Sequence, residues 1–257
     1  MIPKKLHFIW VGGGKKSAKM LHCIESWRKF CPDYEIIEWN ENNFDVNRSP
    51  MIKKGLERRN WALAADAMRI FVLHEHGGIY LDTDMELLKP IDDFLRHDFF
   101  VGYESKFWAN TAIIGSVKGH PMLGELCRLY EDELCLKVSN LMSVHMMSAL
   151  LKNHYNFKSN GKTFEHIEKI AIYARDWFYP QSYLTHRIKM TENSHGIHYY
   201  SGTWGSEAQL KALKVVRGAR FFYYPVLRPL EWITARSYRF KVNRVLKKFR
   251  KQQKESN

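Results

Sequence analysis

A chain of 257 residues that is 45% hydrophobic and 14% aromatic can bury a sizeable core, which excludes an intrinsically disordered protein. The formal net charge is +13, but 14 Lys and Arg against three acids fall from Ser206 onward, leaving only +2 for the first 205 residues. A nearly neutral body with a basic tail argues against a general nucleic-acid binder, and no apolar run approaches the ~18 residues of a membrane span.

Met1-Ile-Pro-Lys-Lys passes directly into Leu6-His-Phe-Ile-Trp-Val11, an aromatic and β-branched run that predicts a buried strand with no leader before it. Gly12-Gly13-Gly14 ends it in a loop. Apolar residues at Met20, Leu21, Ile24 and Trp27 predict a helix over Ser17–Phe30, and Tyr34–Trp39 reads as a second strand. Asn60 is placed to cap a helix from Trp61 to His76, which the Gly77-Gly78 pair stops. Ile79–Leu81, Phe99–Tyr103 and Thr111–Gly115 read as strands, and Pro121–Leu136 and Asn140–Leu151 as helices. Alternation of this kind implies an α/β sandwich around a mostly parallel sheet. Cys23, Cys31, Cys127 and Cys135 have neither metal-ligand spacing nor the density of a disulfide framework, so reduced thiols in a cytoplasmic protein are expected.

The segment richest in chemistry is Asp66-Ala-Met-Arg69 followed by Gly77-Gly-Ile-Tyr-Leu-Asp-Thr-Asp84. On an extended chain, residues two apart point to the same side, so the Asp82 and Asp84 carboxylates share a face at the carboxyl end of a strand. Ligands bind at that edge in open α/β sheets. Two crowded carboxylates repel each other, and a divalent cation such as Mn²⁺ or Mg²⁺ removes the penalty, especially where phosphate oxygens complete its shell. Asp66 and Arg69 fall on one helical face. Walker loops, Gly-x-Gly-x-x-Gly and Gly-x-Ser-x-Gly are absent, and Glu86 stands where Asp-x-Asp phosphohydrolases carry Ser or Thr.

These residues resemble the signature of the Asp-x-Asp sugar-binding glycosyltransferases of family 32, which is shared by the catalytic domains of the large clostridial glucosylating toxins. Ile2–Gly13, Asn110–Gly115 with Gly119-His-Pro121, and His198 to Trp204 with Ser201 between them are similar to further family motifs, in consistent order over residues 1–205. The resemblance implies a GT-A type domain over 1–205, a Rossmann-like mixed sheet flanked by helices, with residues 206–257 as an extension. It implies that Ile9 and Trp10 pack on a nucleotide base, that Tyr80 flanks base or ribose, and that Asp66 and Arg69 hold the donor sugar. Asp82 would hold ribose and sugar hydroxyls, Asp84 the metal, and Asn110 the transferred sugar or the acceptor. His198 is a candidate third metal ligand, and Ser201 and Trp204 belong to a loop over the diphosphate. Ser143-Val-His-Met146 departs from the family's usual Gly-Pro, so no acceptor role is transferred there.

The activity implied is metal-dependent, retaining transfer of a hexose from a UDP- or GDP-linked sugar to a glycan or lipid-linked glycan hydroxyl, in surface or capsular polysaccharide synthesis. The competing class is a non-catalytic module that binds a nucleotide sugar or an acidic polymer. In the tail, Glu207–Val216 reads as a helix, and Tyr238, Val242, Val245 and Phe249 form one apolar stripe among lysines and arginines. Two fates suit such a stripe: entry into an anionic membrane interface from the cytoplasmic side, or docking on the body.

Overall fold

The computed structural model describes residues 1–137, 143–156, 165–167, 169–183, 185–201 and 220–255. Trp204, the expected boundary at 205/206 and the expected helix Glu207–Val216 lie outside the described residues.

The chain forms the expected helix-flanked α/β structure. Its strands are β1 (Lys5–Ile9), β2 (Glu35–Trp39), β3 (Gly78–Leu81), β4 (Met85–Leu87), β5 (Phe99–Tyr103), β6 (Ala109–Ser116), β7 (Glu165–Ile167), β8 (Ile170–Tyr173) and β9 (Gly196–His198). Seven of them make one sheet in the order β2-β1-β3-β6-β5-β8-β7. β1 pairs parallel with β2 and β3, and β5 parallel with β8, while β6 runs antiparallel to both its neighbours and β7 to β8. Because β2 and β3 lie on opposite sides of β1, the chain switches direction there, and the crevice outside the carboxyl ends of β1 and β3 is where such a sheet receives a ligand.

Helices α1 (Ala18–Phe30), α2 (Pro50–Glu57), α3 (Trp61–His76), α4 (Pro121–Glu131), α5 (Ser143–Tyr155), α6 (Arg175–Phe178) and α7 (Arg220–Glu255) flank the sheet. Strand alternation divides the core in two. Phe8, Ile79 and Leu81 pack with Ile24 and Trp27 of α1, while Ile9 and Tyr80 face Ala67, Met68 and Phe71 of α3. Ser17 and Asn60 cap α1 and α3 through their side chains, as their positions predict. Gly77 adopts φ 63° at the end of α3, and a Cβ there would sit 2.7 Å from the Lys118 nitrogen. A side chain is therefore excluded twice at this turn.

Under the same turn lies His7, fully buried, with Nε2 2.8 Å from the Gly77 carbonyl and Nδ1 accepting from Trp39 Nε1 at 3.1 Å. Both nitrogens are satisfied by the neutral ring carrying its proton on Nε2, and burial pushes the pKa down to about 4. The unfolded chain takes up this proton from about pH 6.5. Stability should therefore fall between pH 6.5 and 4, by up to about 3 kcal/mol from this ring, and level off below. Urea midpoints measured against pH check this, and His7→Gln should flatten the slope.

All four cysteines are buried and unpaired, and no described helix is long and apolar enough to cross a membrane. The apolar stripe of α7 corrects one expectation. Val242, Leu246 and Phe249 are buried against the body, with Tyr238 and Val245 packed beside them, and α5 is the main partner of α7. Arg250 fastens the helix through a two-pronged contact with Glu125 (2.8 and 3.1 Å). This stripe does not enter a membrane interface, because the body's own apolar surface already covers it.

Candidate active site

Strand β3 ends at Leu81. Asp82 then donates its N–H to the Ala112 carbonyl (2.9 Å), and Met85 N–H bonds back to the Asp82 carbonyl (2.9 Å), closing a turn into β4. The two carboxylates therefore converge through a turn and not through an extended strand as expected. The chain has to reverse into β4, which pairs with β9 so that Met85 lies opposite His198. This two-stranded ribbon brings the late histidine to the acidic pair across 114 positions.

His198 Nε2 lies 3.0 Å from Asp84 Oδ1 and 3.9 Å from Asp82 Oδ2. The other Asp84 oxygen accepts the Ser201 N–H at 2.8 Å. Tyr200, between them in the chain, adopts φ 50° and packs on the His198 ring at 4.3 Å. That left-handed residue, unfavourable by about 1 kcal/mol or more, turns the Ser201 N–H back toward Asp84. Burial works to raise the Asp84 carboxyl, but the His198 charge and the His198 and Ser201 hydrogen bonds outweigh it and hold Asp84 well below the usual range. Burial, reinforced by the neighbouring Asp84 charge, prevails over Arg69 and His198 at Asp82 and raises it. His198, although buried, is raised by the two carboxylates.

Behind the pair, α3 supplies a buried cation. Arg69 is 5% exposed, with Nη2 2.9 Å from Asp66 and 3.3 Å from Asp82, and Nη1 2.9 Å from the Thr111 carbonyl. Its guanidinium lies 4.5 Å from the centre of the Tyr80 ring, and Tyr80 donates its hydroxyl to Asp82 at 2.7 Å. Tyr80 is closed off from solvent, so in this state it orients Asp82. Asp66 also accepts from the backbone N–H and the hydroxyl of Ser143 at the start of α5 (3.1 and 2.9 Å).

At the carboxyl end of β1, Ile9 is buried in the core while Trp10 is half-buried, its Nε1 donating to the Gly14 carbonyl (2.7 Å). Lys16 Nζ sits 5.2 Å from the indole centre. Since β1 pairs His7 with Tyr80, Trp10 and Asp82 leave the sheet at the same edge. If Trp10 stacks on a base, Trp10→Ala should weaken nucleotide binding by about 1–3 kcal/mol, on the scale of base–aromatic stacking. Calorimetric titration with UDP and GDP measures this, and unchanged affinity in the folded variant would return Trp10 to a packing role.

Asn110 is buried on β6, with its Oδ1 accepting from Ala112 N at 2.7 Å and its amide nitrogen donating to Glu104. Glu104 and Ser143 are residues that sequence reasoning missed. Glu104 follows β5 at the same sheet edge, and its charge reaches His198 and Tyr200. The Gly-Tyr-Glu run that ends β5 was the available signal for it. Ser143 had none, because its partner Asp66 lies 77 positions away.

One carboxylate oxygen from each of Asp82 and Asp84 and the Nε2 of His198 lie within 4.8 Å of one another. Two hard oxygens and an imidazole nitrogen fit a divalent cation of the Mn²⁺ or Mg²⁺ kind, with room in its shell for phosphate oxygens. The Nδ1 of His198 is buried with no hydrogen-bond partner among the described residues. It is the nitrogen that keeps the ring proton when Nε2 serves as a ligand.

Residues 17–101 match the family described as a glycosyltransferase sugar-binding region containing the DXD motif. Inositol phosphoceramide mannosyltransferase 3 of Schizosaccharomyces pombe is 29% identical over 139 residues, which cover 49% of this chain and 36% of that protein. Human alpha-1,4-N-acetylglucosaminyltransferase is 24% identical over 167 residues, covering 63% of this chain and 48% of that one. The chain thus spans half or less of the length of these relatives. Among solved structures, the PaToxG glycosyltransferase is similar with a TM-score of 0.49 and 18% identity, over 60% of this chain and 70% of that chain.

Proposed function

We propose, from the premise that this chain carries the DXD-containing sugar-binding region of a glycosyltransferase, that it moves a hexose from a nucleotide-diphosphate sugar to a hydroxyl of a glycan acceptor. The observation that carries the proposal is the convergence of Asp82, Asp84 and His198 at one sheet edge, with Arg69 buried behind them. Asp84 and His198, with Asp82, are the residues that would hold Mn²⁺ or Mg²⁺. When bound, the cation stabilises the negative charge that develops on the departing diphosphate.

The chain's own residues do the rest. Arg69 sets the position of Asp66 and Asp82 with its rigid fork, leaving their outer lone pairs for sugar and ribose hydroxyls. Ser201 donates its N–H to Asp84 and fixes which oxygen faces the diphosphate. Trp10 offers an indole face to the base, and Trp204 belongs to the same proposal as a cover over the diphosphate. Transfer proceeds with retention, the leaving phosphate accepting the proton of the attacking hydroxyl on the same face. The reading includes a role in surface or capsular polysaccharide synthesis. The proposed location is the cytoplasm, on the inner side of the cell membrane, and four buried thiols without a disulfide support it by suiting a reducing compartment.

The test is a donor panel. The relatives' names point to mannosyl and N-acetylglucosaminyl donors, to be screened with glucosyl and galactosyl ones on uridine and guanosine diphosphate. Mn²⁺-dependent release of nucleoside diphosphate from one donor is expected. Tight donor binding with no turnover under any metal would leave a binding module instead.

A further inference from the structure

We propose that the outer face of α7 docks on an anionic membrane surface and presents the sugar site to an acceptor held there. The acceptor half of this statement rests on the glycosyltransferase reading above, and the docking half does not. With the stripe Ala235, Val242, Leu246 and Phe249 buried on the body, the opposite face of the helix is defined. At about 100° per residue, Ile233, Phe240, Arg244, Lys247 and Lys251 fall within an arc of about 60° centred opposite that stripe. All five are exposed, Ile233 by 54% and Phe240 by 71%.

The charge on this face is predominantly positive, its one acid being Glu255, 3.6 Å from Lys251 near the end of the helix. From Ile233 to Glu255 the helix has nine Lys and Arg and a single acid. The body adds to it, because Lys137 lies against Lys248 with Arg244 nearby, and these like charges lower the Lys137 ammonium below the ordinary lysine range. An anionic surface relieves such crowding. Two large apolar side chains one above the other in a cationic arc suit the headgroup boundary of a bilayer, where rings and aliphatic chains enter and the ammonium and guanidinium groups stay at headgroup level. A soluble polyanion would satisfy the charges and leave Ile233 and Phe240 in water.

Position links the face to the site. Ala235 packs with Val144 and Trp108, and the Tyr238 and His145 rings lie 4.3 Å apart. The next residue toward the start of α5, Ser143, is the one that holds Asp66. Helix α7 thus leaves the neighbourhood of Asp66 and runs along the body with Arg244, Lys247 and Lys251 outward.

The experiment is co-sedimentation of the full chain with phosphatidylglycerol-containing vesicles and with phosphatidylcholine vesicles, at low and high salt. Two variants accompany it: Phe240→Ser, and the triple change Arg244→Glu, Lys247→Glu, Lys251→Glu. Circular dichroism and solution donor hydrolysis serve as controls. The wild type should pellet with anionic vesicles only and be released by salt. The triple variant should lose affinity about a hundredfold, and Phe240→Ser should lose several-fold, with hydrolysis unchanged in both. No pelleting of the wild type, equal pelleting of the triple variant, or binding of dextran sulfate without binding of vesicles would each overturn the docking. Pelleting with no hydrolysis of any donor would overturn the enzymatic reading alone.

Discussion

Asp84→Asn abolishes sugar transfer while the chain stays folded: this is the expected result of exchanging one charged oxygen for an amide nitrogen that ligates no cation. The asparagine keeps the volume, and its remaining oxygen still accepts the Ser201 N–H now bound at 2.8 Å. The negative charge that answers His198 disappears. A loss of about 10³-fold in turnover is expected, equivalent to about 4 kcal/mol of transition-state stabilisation. Chelation with EDTA should silence the wild type to the same level, and added Mn²⁺ should restore it but not the variant. Thermal unfolding separates this outcome from misfolding. An active Asp84→Asn chain, or full wild-type activity in EDTA, would remove Asp84 from the site.

Arg69→Met should act differently, because it damages the fold and the site together. Arg69 is the buried cation between Asp66 and Asp82, and it also ties α3 to the Thr111 carbonyl on β6. Removing it leaves two largely buried carboxylates without their counter-charge, and breaking a buried pair in this way costs about 3–5 kcal/mol. Urea unfolding should show that loss, and transfer should vanish under conditions where the variant is still folded. Arg69→Lys restores the charge but not the planar fork that reaches Asp66, Asp82 and Thr111 at once. It should recover part of the stability and little of the activity. If Arg69→Met unfolds at the wild-type urea concentration, the network does not organise this edge.

Elements whose signals lie within a few neighbouring residues are legible in the amino-acid sequence. The α3 helix begins after the Asn60 cap and stops at Gly77 as its sequence predicts, because capping side chains and glycine dihedrals act over one turn. The short α2 and the β4–β9 ribbon are not legible in this way. An eight-residue helix and two three-residue strands carry too little periodicity to stand out. The spacing of Asp82 and Asp84 announces a paired carboxylate, but the geometry that pairs them is a turn enforced by β4.

Alone, then, the sequence determined the α/β class, the capped central helix, the acidic pair with Asp66 and Arg69, and the stripe on α7. All of these follow from local dihedral preference or from period. Tertiary structure alone decided what each feature meets. It placed His198 on Asp84 through the β4–β9 pairing and Ser143 on Asp66 through the seating of α5. It also turned the α7 stripe inward and Arg244, Lys247 and Lys251 outward. The physical reason is that an apolar stripe is stabilised equally by leaving water for a membrane or for another helix, and a carboxylate equally by a near or a distant partner in the chain. Periodicity records the need for such a neighbour, and only the folded chain supplies which one.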